Sequence, residues 1–159
     1  MSLPMMKDLF QVGYVTNDLE RAAAVMRDQF GTGAVKIMRD IPDSFIDIGL
    51  CFAGETNFEI IQSHNASGDF YSDWIADCDG FALRPHHFGF LIPSSEEMSA
   101  LRGSHRNAGR AFPLDNIVPG FIDVFYADTR GELGHYLEYF YLEAGARAMF
   151  ADVEGTTIS

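Results

Sequence analysis

Four side chains with the chemistry of metal ligands lie in or beside stretches that otherwise suit core strands. They are Gln11 in the run from Phe10 to Val15, Glu59 in Phe58 to Ile61, His87 in His87 to Leu91, and Glu138 in Leu137 to Phe140. A carboxylate inside such a strand is costly unless it is paired, neutralised or bound to a cation. Two of them in one small chain need an explanation, and their spacing offers one. Gln11 and Glu59 are 48 residues apart, and His87 and Glu138 are 51 apart. Each half of the chain thus carries one ligand on its first strand and one on its last. Halves related by a pseudo-twofold would bring the four polar tips together. One amide oxygen, two carboxylates and one imidazole suit a single divalent ion such as Zn, Ni, Mn, Co or Fe(II), with water or substrate at the remaining positions. Taken singly, each residue has a plainer reading. A strand Gln or Glu usually faces solvent, and a lone His is usually hydrogen-bonded. The paired placement of all four argues for a site. His86 beside His87 would point to the opposite face of the strand.

The elements that must position these residues repeat. Laid over one another at an offset of 76, Gln11 meets His87, Gly13 meets Gly89, Tyr14 meets Phe90, Glu20 meets Glu96 and Ala24 meets Ala100. Each copy passes from an apolar stretch through a polar cap into a helical pattern. Asn17 or Asp18 caps the first helix. Ser94 or Ser95 caps the second, with Glu97 placed to close a capping box from Ser94. Strands follow at Ala34 to Arg39, Phe45 to Phe52 and Phe58 to Ser63 in the first copy. In the second they fall at Ala111 to Leu114, Phe121 to Tyr126 and Tyr136 to Leu142. A short helix is expected around Phe70 to Ala76, and another after Gly145. The fold class is therefore α+β, with two βαβββ modules forming an open barrel around a concave mixed sheet. Residues 1–159 are expected to form one domain. Module one spans about 8–64, a linker about 65–84, module two about 85–143, and a tail 144–159.

Bulk properties restrict partners. The chain has 159 residues, 47% of them hydrophobic, enough for a sizeable core. A formal net charge of −12 argues against nucleic acid and anionic membrane surfaces, where Lys and Arg must dominate. No apolar run is long enough to span a bilayer, and no signal-peptide pattern opens the chain. Cys51 and Cys78 are too few for a disulfide scaffold and are expected to be reduced thiols of a cytoplasmic protein.

At the four ligand positions the sequence resembles the vicinal-oxygen-chelate superfamily of glyoxalase I, methylmalonyl-CoA epimerase, extradiol dioxygenases and bleomycin-resistance proteins. Gln11-Val12-Gly13-Tyr14-Val15-Thr16-Asn17-Asp18-Leu19-Glu20 is similar to the opening strand and helix start. Phe58-Glu59-Ile60-Ile61 is similar to the fourth strand, His86-His87-Phe88-Gly89-Phe90 to the fifth, and Gly134-His135-Tyr136-Leu137-Glu138-Tyr139 to the eighth. The order Gln, Glu, His, Glu resembles a glyoxalase I ligand set. Gln11 in place of a first His departs from the dioxygenases, and no basic cluster for glutathione carboxylates stands out.

The resemblance implies a metal-dependent, glyoxalase-like lyase or isomerase. It would move a proton on a small substrate whose vicinal oxygens chelate the metal. Glu138 is the expected base and Glu59 the second choice. Phe10, Tyr14, Phe90, Phe125, Tyr136 and Phe140 are candidates to line an apolar pocket. The family also implies a homodimer. The alternative function is a small-molecule-sequestering protein without turnover, and an extradiol dioxygenase is the less favoured one.

Overall fold

The structure is a computed structural model describing residues 4–159. Among the described residues, eight strands and four α-helices fall into two compact units. One unit contains the chain up to Gln11 and His87–Met149, and the other contains Val12–His86 and Phe150–Ser159. The unit boundaries fall inside β1 (Leu9–Thr16) and β5 (Leu83–Leu91).

In the first unit, β5 leads into α2 (Ser95–Asn107), β6 (Leu114–Val118), β7 (Ile122–Ala127), α3 (Arg130–Leu133), β8 (Tyr136–Leu142) and α4 (Ala144–Phe150). The strand order there is β5-β8-β7-β6. β5 and β8 run parallel, with Gly89 opposite Glu138, and the other pairs are antiparallel. Alternation along β8 sends Leu137 and Tyr139 to one face and Tyr136, Glu138 and Phe140 to the other. α2 covers the first of these faces. Its Met98 and Leu101 pack with Phe90, Phe125, Ala127, Leu137 and Tyr139 into one core. Ser94 starts the helix, its Oγ accepting from the Glu97 amide at 3.2 Å.

The second unit follows the same plan. From β1 the chain runs through α1 (Leu19–Phe30), β2 (Lys36–Met38), β3 (Ile46–Ala53) and β4 (Thr56–Ser63). β2, β3 and β4 pair antiparallel in sequence order. Asp18 is the N-cap, accepting from the Arg21 amide at 3.0 Å, and Gly31 at φ 69° closes the helix. Leu19, Ala22 and Met26 of α1 pack on Ile60, with Phe58 beside them. The helix sits close to β3 because Gly49 has no side chain. A Cβ there would stand 3.0 Å from Val35 Cγ1 and 3.2 Å from Leu19 Cδ1.

The α+β fold with mixed strand pairing is the one expected. The placement of β6 is not. The sequence pointed to Ala111–Leu114, whereas the strand covers Leu114–Val118. Its residues after Leu114 are exposed, so no apolar alternation marks it, and it is held by backbone pairing to β7. The helix expected at Phe70 to Ala76 is a single 3₁₀ turn, Asp73–Ile75. α3 had no periodic signal, being only four residues long.

Candidate metal centre

His87 on β5 and Glu138 on β8 share a face because His87 pairs with Tyr136 and Gly89 with Glu138. His87 Nε2 lies 3.2 Å from Glu138 Oε2 and 3.4 Å from Gln11 Oε1. All three side chains are buried: Gln11 is 1%, His87 1% and Glu138 5% exposed. Burial is the largest influence on His87 and holds its pKa below the usual histidine value, against the opposing pull of Glu138. The ring is therefore neutral near pH 7.

One imidazole nitrogen thus faces two oxygen acceptors. A neutral ring nitrogen donates one proton or presents one lone pair. As a lone pair among two oxygens, it forms a cluster that a cation would satisfy. Gly89 makes this approach possible, since a Cβ there would stand 2.8 Å from Gln11 Oε1 and 3.1 Å from Phe140 Cε1.

Glu59 lies on β4 of the second unit, opposite Leu50 of β3. Its neighbours Phe58 and Ile60 pack with α1, so alternation turns Glu59 to the other face. Burial pushes its carboxyl up to about 7.

The expected pocket residues separate. Tyr136 and Phe140 share the Glu138 face of β8, and Phe140 meets Phe10 edge-on at 5.8 Å. Phe90 and Phe125 are 1% and 0% exposed in the core beneath α2, on the opposite face, where they stack against Tyr139. Tyr14 packs near Phe58 at 6.4 Å, and alternation sets it opposite to Gln11's side of β1. His86 is turned away from His87, as its parity required. It is enclosed by Phe70, Tyr71 and Trp74, with Nε2 3.2 Å from the Phe70 carbonyl. Tyr126 went unnoticed in the sequence. It pairs with Glu138 and sets its ring edge-on against His87 at 5.1 Å. Once β7 and β8 are taken as an antiparallel pair, that register is the signal for it.

No family model matches the chain, and no curated protein matches it by sequence. Solved structures do match. The chain is similar to a methylmalonyl-CoA epimerase from Mycobacterium tuberculosis, at 13% identity over 93% of this chain and 96% of that one, with a TM-score of 0.68. It is similar to a Streptomyces coelicolor methylmalonyl-CoA epimerase at 11% identity, over 86% and 95%, with a TM-score of 0.66. A hypothetical protein from Bacillus halodurans matches at 18% identity, over 86% and 94%, with a TM-score of 0.64. The chain thus shares its fold with these two epimerases and with the Bacillus halodurans protein.

Proposed function

We propose that the chain is a metal-dependent isomerase of the epimerase type, moving a proton between the faces of a small carbon acid. The observation that carries this reading is the convergence of Gln11 Oε1 and Glu138 Oε2 on the neutral Nε2 of His87. We propose Glu59 as the fourth ligand, because it stands on the last strand of its half as Glu138 does on the last strand of the other. This donor set suits Zn, Ni, Mn, Co or Fe(II). When bound, such an ion supplies Lewis-acid polarisation of a substrate carbonyl.

The chain's own groups then do the rest. Gln11 and His87 are fixed by burial and hold the geometry. Glu138 takes the proton as first choice and Glu59 as second. A carboxyl raised to about 7 is suited to both accepting and returning a proton near neutrality. Tyr136 and Phe140, on the Glu138 face, are proposed to wall the substrate. The solved neighbours include an epimerase in complex with methylmalonyl-CoA, which makes that compound the first substrate to test. A homodimer is part of the proposal.

The test is elemental analysis of chain purified without chelator, followed by solvent-deuterium incorporation into methylmalonyl-CoA and a panel of related 2-substituted acyl thioesters. About one divalent ion per chain, lost in His87→Ala and Glu138→Ala, is expected. Deuterium uptake that falls by about two or more orders of magnitude in Glu138→Gln is expected from loss of the base. Absence of metal after reconstitution with each candidate ion would sink the reading and leave a binding protein in its place.

A further inference from the structure

The second unit carries a cavity of about 380 Å³, entirely its own, lined by Val15 to Asn17, Gln62 to Ala66, Ser72, Ile75 and Ala76. None of the four ligand positions lines it. Each of its donor-bearing polar side chains other than His64 makes at least one bond to the protein. Gln62 Nε2 donates to the Asn17 carbonyl, and Asn17 Nδ2 donates to the Gly80 carbonyl. Thr16 Oγ1 donates to the Ala82 carbonyl. Ser63, Ser72 and Asn65 all donate to one carboxylate oxygen of Asp69, at 2.7, 2.9 and 3.1 Å.

Two side-chain acceptors on the wall receive no hydrogen bond from the described residues. His64 Nε2 donates to Asp47 Oδ1 at 2.9 Å, because an ionised carboxylate can only accept. Asp47 is kept ionised, its pKa lowered first by that hydrogen bond and also by Arg39, which holds its other oxygen at 2.9 Å. This bond places a proton on Nε2, so that the ring in its uncharged form presents a lone pair on Nδ1. Among the described residues nothing donates to His64 Nδ1 or to Asn65 Oδ1. The His64 side chain is 44% exposed, against 12% for the Asp47 that orients it.

We infer that this cavity is a second small-molecule site, taking an uncharged group rich in hydrogen-bond donors, a hydroxyl or an amide N–H, with His64 Nδ1 and Asn65 Oδ1 as its acceptors. An anion is disfavoured because the ionised Asp47 stands against His64 and the chain carries a formal charge of −12. The site is independent of the metal centre, so either reading can fail alone.

The experiment uses the full chain, freed of metal with chelator and isotope-labelled, at a pH where imidazole is neutral. N-acetylethanolamine, which offers one amide N–H and one hydroxyl, is titrated through the millimolar range, and acetate is titrated separately. Amide shifts that saturate at Gln62–Ala66 and Ser72–Ala76, together with a displaced His64 Nδ1 resonance, are expected for the first probe and not for acetate. His64→Phe should weaken binding on the order of tenfold, the worth of one good hydrogen bond. His64→Gln keeps an acceptor and should bind like wild type, and Glu138→Gln should leave binding of this probe unaltered. Shifts elsewhere or none, equal binding of acetate, or full affinity in a folded His64→Phe would each overturn the assignment. If His64→Phe does not fold, the wild-type Nδ1 resonance decides by itself.

Discussion

Gly89 decides whether Gln11 can reach His87. A methyl group there would enter space held by Gln11 Oε1 and Cβ, at 2.8 and 3.0 Å, and by the Phe140 ring at 3.1 Å. The Gln11 amide would have to swing away, and its Cβ and the Phe140 ring to give by a few tenths of an ångström, so Gly89→Ala should cost about 1–3 kcal/mol of stability. It should also weaken divalent-metal affinity by at least about tenfold, because ligand placement is disturbed. Isothermal titration with Zn and Ni, run beside urea unfolding, separates the two effects. Unchanged metal affinity in a folded variant would remove Gln11 from the ligand set.

His105 poses a different residue-scale question. Its Nδ1 accepts from Arg110 at 3.2 Å, and its Nε2 donates to Tyr139 Oη at 2.9 Å, which in turn donates to the Met5 carbonyl. Burial first, and Arg110 second, lower its pKa from 6.5 to about 4. Because the folded value is depressed, the unfolded chain takes up the proton first as the pH falls. The stabilisation is complete above about 6.5 and is lost progressively toward 4. The loss is about 1–2 kcal/mol once solvent screening is allowed for. Urea midpoints across that range should fall more steeply in wild type than in His105→Gln, and parallel slopes would contradict the assigned protonation.

Among the elements, the two helices show what sequence alone can place. The caps were readable to within one residue, as Asn17 or Asp18 and as Ser94 or Ser95, because oxygen-bearing side chains stood immediately before an apolar period, and the structure selects Asp18 and Ser94. Both accept the expected amide. Asp18→Ala should cost about 1 kcal/mol in chemical denaturation, while Asn17→Ala acts elsewhere, through lost bonds to Gly80 and Ala82. Equal effects through the same helix, seen in amide exchange, would argue against Asp18 as the sole cap.

β8 was legible over its full length since every residue from Tyr136 to Leu142 is apolar, aromatic or the single carboxylate. β6 was not, because an exposed edge strand owes its place to the backbone of β7 and carries Asp115 and Asn116 outward. The same limit applies to the site. Gln11, His87 and Glu138 stood out as polar intruders in apolar runs. Phe90 and Phe125 looked equally suited to a pocket, and only strand parity and the position of α2 send them into the core. His64 gave no signal, for its meaning depends on Asp47, 17 residues earlier on β3.

For the molecule as a whole, the proposed metal centre makes a thermodynamic demand that does not depend on knowing the substrate. A formal charge of −12 attracts divalent cations to the surface without specificity, so a stoichiometric ion must be told apart from a diffuse atmosphere. A specific site binds the folded chain and not the unfolded one. At a free concentration of one hundred times Kd, it stabilises by about 2.7 kcal/mol. For a chain of this size that is a rise in Tm of roughly 5–10 °C. The rise should follow the logarithm of metal concentration, persist in high monovalent salt and reverse with chelator. His87→Ala should abolish it, and Glu59→Ala should reduce it, if both belong to one centre. Mg should reproduce little of it, because an imidazole ligand favours the transition ions. A rise given equally by Mg, erased by salt and retained in His87→Ala would assign the effect to surface charge and leave the buried cluster without an ion.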